Sequence, residues 1–195
     1  MAAEQYTHLA SADSGAEASY VSFTNISQDY QELELYIQGQ AGRFGTTGWG
    51  MVGFRCATDA AGSSFTTTSA STLITWNYNY NQWASWVRKR YSTTTTESFQ
   101  VPYTVQSPSG SAYPDPQGAY RIRFQGYSNA YTLTTYTMTG ISADYNGTSG
   151  SGTTLQFNQG GIGTGQAAIT GLRIAVDSSS VWQYSQFSLY GITGK

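Results

Sequence analysis

The sequence predicts an all-β protein, an antiparallel sandwich of about 8–11 short strands with little or no helix. Three observations predict it. The dominant hydrophobic period along the chain is two, the period of a half-buried strand. The segments that carry this period are filled with Val, Ile, Thr, Tyr, Phe and Trp, the residues that suit a pleated surface. Clusters of Gly, Pro, Asn and Ser interrupt them at short intervals, as turns do.

Taken in order, the first strand is expected over 20–26, with Val21 and Phe23 on one face. The next, 33–37, places Leu33, Leu35 and Ile37 on one face and Glu32, Glu34 and Tyr36 on the other, which reads as core side and wet side. Further strands are expected over 49–56, 72–80, 83–91, 98–105, 119–127, 131–142, 153–157, 169–176 and 182–192. Breaks fall at 41–45, 60–63, 146–152 and 160–163, and at 107–116, which holds three of the four prolines and cannot be a central strand. Trp83, Trp86, Val87 and Arg90 also fit a helical period, although a strand suits them as well. The organisation expected is an N-terminal arm over 1–17 and a single sandwich domain over 18–195.

Composition narrows the function classes. Of 195 residues, 10% are charged and 15% aromatic. An average soluble domain carries roughly 25% charged residues. With 26 Thr, 24 Ser and 22 Gly, the chain would risk disorder, but 16 Tyr, eight Phe and five Trp supply apolar area to bury. A net charge of -2 argues against a nucleic-acid partner. One cysteine, Cys56, makes no internal disulfide, and Cys56 and His8 together fall short of a zinc ligand set. No run is long and apolar enough for a membrane helix, and the first residues lack the basic and apolar regions of a secretory signal. Neither metal nor cofactor is implied.

The searches for catalytic patterns end the same way. A Ser-His-acid triad would depend on His8 alone, and no Gly-x-Ser-x-Gly elbow is present. Glu32 and Glu34 emerge parallel from one strand, whereas a glycosidase pair must face across a sugar. Gly161-Ile-Gly163-Thr-Gly165 precedes a strand and not a helix, so it is no dinucleotide loop. The segment from Asp144 begins like a calcium loop but has Leu155 where the twelfth-position Glu belongs. The expectation is a protein that is not an enzyme.

Two features point to contact surfaces. In the stretch 76–86, an extended chain puts Trp76, Tyr78 and Tyr80 on one face and Asn77, Asn79 and Asn81 on the other, followed by Trp83 and Trp86. Such residues serve first as interface, then as core, and last as a sugar platform. Arg88-Lys89-Arg90 is the one dense basic run, and Arg121 and Arg123 share a face. These basic residues suit either an acidic partner or a charged strand edge. Residues 1–34 carry six acids and no Lys or Arg, a polarity that suits contacts between subunits. Trp76, Tyr78, Tyr80, Trp83, Trp86, Arg88, Lys89 and Arg90 are therefore candidate subunit or partner contacts, and Tyr6, His8 and Leu9 candidate contacts of the N-terminal arm.

Both ends of the chain carry a recognisable pattern. Tyr6-Thr-His-Leu-Ala-Ser is followed by Ala18-Ser-Tyr-Val-Ser-Phe23-Thr-Asn-Ile26-Ser-Gln-Asp-Tyr30-Gln-Glu-Leu33-Glu-Leu35, and a Leu-rich strand runs on towards Arg43. Near the other end stand Ile169-Thr-Gly-Leu172-Arg-Ile174 and Phe187-Ser-Leu-Tyr-Gly-Ile192. This pattern resembles the opening and closing strands of structural proteins of tailed phages, while the middle of the chain is not matched. The resemblance implies a jelly-roll-like β-sandwich in a virion, made in the host cytoplasm, with itself (as a homotrimer) and the major capsid protein as partners. It implies a capsid decoration, or cement, protein on the outer shell. The alternative is a tail-fibre or baseplate receptor-binding head that contacts host glycan. A closing strand of this pattern is expected to pair with one near the N-terminus, as first and last strands meet in a jelly roll.

Overall fold

In the computed structural model, described over residues 3–15, 18–43, 49–67, 70–80, 83–93, 97–105, 118–131, 134–146, 150–162, 167–176 and 181–194, thirteen strands and no helix are found. They are β1 (Gln5–Asp13), β2 (Tyr20–Phe23), β3 (Glu32–Arg43), β4 (Trp49–Ala57), β5 (Phe65–Thr67), β6 (Ala70–Tyr80), β7 (Trp83–Thr93), β8 (Glu97–Val105), β9 (Gly118–Gln125), β10 (Thr134–Asn146), β11 (Gly150–Ile162), β12 (Gly171–Val176) and β13 (Val181–Thr193). The all-β prediction holds, with two strands more than the periodicity gave. β1 lies within the segment expected as an N-terminal arm and pairs along its length with β13. β5 is three residues long, too short to show a period. Residues 41–43, read as loop, continue β3, and 83–93 is strand and not helix.

The strands form two antiparallel sheets. The larger runs β1-β13-β3-β9-β10-β11-β6-β7. The smaller runs β2-β12-β4-β8, with β5 also paired to β4. A short parallel pairing of Ala41–Arg43 with Tyr103–Val105 links β3 to β8.

The alternation predicted for each strand explains the sandwich. Leu33, Leu35 and Ile37 of β3, Tyr120, Ile122 and Phe124 of β9, Tyr136 and Met138 of β10, and Phe187 and Leu189 of β13 are buried on the inner face of the larger sheet. Val21 and Phe23 of β2, Phe54 and Cys56 of β4, and Leu172, Ile174 and Val176 of β12 are buried on that of the smaller. The Phe54 ring meets Phe124 and Tyr136 edge-on, at 5.3 and 5.4 Å between centroids, and so bridges the sheets. Each such side chain contributes about 1.5–3 kcal/mol on burial.

Hydrogen bonds between loops close one end. Ile26 N–H donates to the Thr170 carbonyl, Ile169 N–H to that of Tyr127, and Thr170 N–H to that of Ala57. The buried Tyr127 hydroxyl donates to the Ser27 carbonyl at 2.6 Å. Gly62 fits against this junction with φ of 62°, and a Cβ there would run into the Thr170 carbonyl. At the other end β13 bulges between Gln183 and Gln186. Tyr184 takes a left-handed φ of 46° and is 72% exposed. Ser185 turns inward over Gly39, where no Cβ would fit.

Candidate functional site

The outer face of the larger sheet is where the sequence-predicted charges meet. Register places Glu34 of β3 beside Arg123 of β9, and Tyr36 beside Arg121. Across β13 the neighbours are Tyr190 opposite Glu34 and Ser188 opposite Tyr36. One strand further, His8 of β1 stands opposite Tyr190.

Long side chains lie flat over this face and bury its acids. Arg121 Nη2 pairs with Glu34 Oε2 at 2.7 Å. The Tyr36 hydroxyl donates to Glu34 Oε1 at 2.5 Å. Arg121 Nη2 also donates to the Tyr6 hydroxyl, which in turn donates to Glu4, at 3.2 Å each. Arg123 binds Glu32 through Nε and Glu4 through Nη2, the latter at 2.7 Å. The rings of His8 and Tyr36 both meet Tyr190 edge-on.

Three carboxylates thus face two guanidiniums, and both arginines are held in their charged form. Glu4, then Glu32, raise the Arg123 pKa, and Glu34 raises that of Arg121. Burial, and then the hydrogen bond to Glu34, push the Tyr36 phenol up to about 12. The carboxylates are spent on fixed cations within the chain, so the arrangement ties strands together. The wet face expected for Glu32 and Glu34 is corrected: they are 5% and 0% exposed, with Arg121 and Arg123 of β9 and Tyr36 of β3 lying against them. Arg121 and Arg123, read as facing an acidic partner or forming a strand edge, instead meet three of the six acids of residues 1–34, on an interior strand.

Beside this network lies a depression of about 600 Å³. Its floor is the short side chain of Ala119, which register sets between Gln38 and Ile141. Tyr36, Arg121, Gln186 and the hydroxyl residues Ser188 and Thr139 stand around it. Tyr36 is 40% and Ile141 49% exposed. Periodicity marks these residues as outward-facing, but the pairings that gather them across four strands leave no trace in sequence.

The other predicted residues are placed as follows. Tyr6 and His8 belong to the network, and Leu9, at the β1 irregularity, packs on the core. In the β6–β7 hairpin Trp76 pairs with Val87, Tyr78 with Ser85 and Tyr80 with Trp83, while Trp86 pairs with Asn77. Arg88, Lys89 and Arg90 lie opposite Thr75, Ile74 and Leu73 on β7, the last strand of the sheet order. The side chains of these eight residues, and the proline-rich segment 107–116, lie outside the described residues. Among the described residues no group of three or more His, Cys, Asp or Glu is placed to hold a metal.

Fold and face together define the class: a two-sheet β-sandwich with an ion-paired outer surface. No protein-family model, curated protein or solved structure matches the chain.

Proposed function

We propose that the protein is a structural component of a tailed-phage virion, a decoration protein of jelly-roll-like type that binds the outer capsid as a homo-oligomer and stabilises it. One observation supports this reading more than any other. The segments that carry the phage-like pattern pair with one another: Tyr20–Phe23 lies against β12, and β13 lies between β1 and β3. They form one group in each sheet, and within each group an opening segment meets a closing one, as the resemblance implies. Such a protein acts through added contacts across subunit joints, and the shell gains stability by linked binding.

The test is co-sedimentation with empty capsids of the phage that encodes the chain, followed by their melting temperature. Binding with a raised melting temperature is expected. A protein that ignores capsids and binds host cells would sink the decoration reading.

A receptor-binding head is the second reading, favoured by the depression over Ala119. Its aromatic ring, amides, hydroxyls and arginine are the groups that hold a sugar. Replacing Trp76, Tyr78 and Trp83 together by Ala separates two roles for the hairpin. Loss of the oligomer in sedimentation velocity marks a subunit interface, whereas an intact oligomer that no longer binds glycan marks a sugar platform.

A further inference from the structure

The outer face of the smaller sheet carries a pair of guanidiniums with no acid paired to them among the described residues. Arg55 of β4 and Arg173 of β12 stand directly opposite one another in the ladder. Both point outward, since Phe54, Cys56, Leu172 and Ile174, which alternate with them, are buried. Like charges set opposite on a sheet repel and destabilise it. Arg173 is nonetheless fixed in place. Its guanidinium carbon lies 4.0 Å from the centroid of the Tyr20 ring and 4.1 Å from that of Phe65, and its Nε donates to Ser22 Oγ at 2.9 Å. A guanidinium so enclosed works through its remaining Nη edge.

No acid among the described residues pairs with Arg55 or Arg173. Glu4, Glu32 and Glu34 are engaged on the other sheet, and the Asp59 carboxylate accepts the backbone N–H groups of Ser63 and Ser64. Glu97 stands opposite Gly53 on β8, and its side chain lies outside the described residues.

We propose that Arg55 and Arg173 bind an anionic saccharide, whose carboxylate or sulfate bridges the two guanidiniums. Planar guanidiniums match a carboxylate or sulfate in geometry as well as charge. One face of the Tyr20 ring is taken by Arg173, and at 50% exposure its other face is left for the C–H face of the sugar. Two arginines and one ring suit a single sugar residue. A folded protein partner would need about 800 Å² of contact on each side. This inference is independent of the virion reading and of the depression on the other sheet.

The experiment is calorimetric titration of the full chain with a sulfated disaccharide, a uronic-acid disaccharide and their neutral parent. One charged disaccharide at least is expected to bind about tenfold or more tighter than the neutral one, with affinity falling as salt rises. Arg55→Gln, at an exposed position, should weaken that binding about tenfold without lowering the melting temperature, since it also relieves the like-charge pair. Arg173→Lys keeps the charge, loses the planar fork and should weaken it too. Tyr131→Ala, at an 87% exposed position outside both surfaces, should leave it unchanged. Equal affinity for neutral and charged sugars, or no effect of Arg55→Gln, would overturn the proposal. So would tighter binding of an acidic peptide than of either sugar, which would mark the patch as a protein contact. Capsid binding that survives in Arg55→Gln while sugar binding is lost would show the two functions to be separate.

Discussion

Glu34 is the residue on which the outer face of the larger sheet turns. Its side chain is fully buried, its charge is balanced by Arg121, and it accepts a hydrogen bond from the Tyr36 hydroxyl. Removing it leaves Arg121 without its counter-ion, but that guanidinium is 46% exposed and water takes up part of the loss. Glu34→Ala is expected to cost about 2–3 kcal/mol in urea denaturation, and Glu34→Gln, which keeps an acceptor for Tyr36, about half of that. Alternation correctly separated Glu34 from Leu33 and Leu35. It did not reveal the burial, because a period of two says which face a side chain takes and nothing of what lies over that face. Two glycines of equal φ make a second residue-scale test. Gly15 and Gly62 have φ of 60° and 62°, but a Cβ at Gly15 meets nothing within 4 Å, while one at Gly62 collides with the Thr170 carbonyl and comes within 2.8 Å of Asn25 N. Gly15→Ala should cost about 1 kcal/mol, the left-handed penalty alone. Gly62→Ala should cost about 2–4 kcal/mol, because the loop junction must also move. Equal losses in the two variants would refute the steric argument.

At the scale of elements, β1 shows how side chains can fasten an edge strand. Among the described residues it pairs with β13 alone, and most of its residues are exposed. Yet Arg123, three strands away, reaches back to Glu4 just ahead of it. Arg123→Ala should release this tie. Amide exchange at Gln5 to His8 is expected to speed up several-fold while the amides of β9 and β10 keep their protection. Unchanged exchange in β1 would mean that the backbone ladder alone holds it. Strands such as β3 and β9 were legible because apolar and polar residues alternate cleanly in them. β1 was not, since the apolar residues it packs on the core, Leu9, Ala10 and Ala12, are few, small and out of strict alternation, and its strand form depends on its partner. The β13 bulge was equally hidden, because Gln183, Tyr184 and Ser185 look like any other strand residues until Ser185 turns in over Gly39.

For the whole molecule, the sandwich predicts a response to alkali. Burial pushes the Cys56 thiol from 9.0, and the Tyr127 and Tyr36 phenols from 10.0, up to about 12 each. In each case the folded state favours the protonated form. The stability these groups contribute is complete below their unfolded values and is lost as pH rises through the folded ones. Unfolding free energy should therefore hold to about pH 9 and fall progressively towards pH 12. In Cys56→Ala the decline should begin nearer pH 10, and an identical onset in both proteins would count against the thiol. The two-sheet architecture could be foreseen from strand content, whereas the pairing order could not. Neighbours such as β3 and β13, or β6 and β11, are far apart in the chain, and no local pattern selects between such partners.

The position of β13 bears on how the chain reaches this state during synthesis. Of the thirteen strands it is made last, yet it lies between β1 and β3, which are among the first. Until it emerges from the ribosome, β1 has no ladder to join and one edge of β3 stays open, with Leu33, Leu35 and Ile37 only partly covered. The larger sheet is therefore completed by insertion and not by growth from the N-terminus. Long-range closure of this kind is slow, and it leaves the nascent chain dependent on its few charges and its crowded Ser and Thr to stay clear of other chains in the meantime.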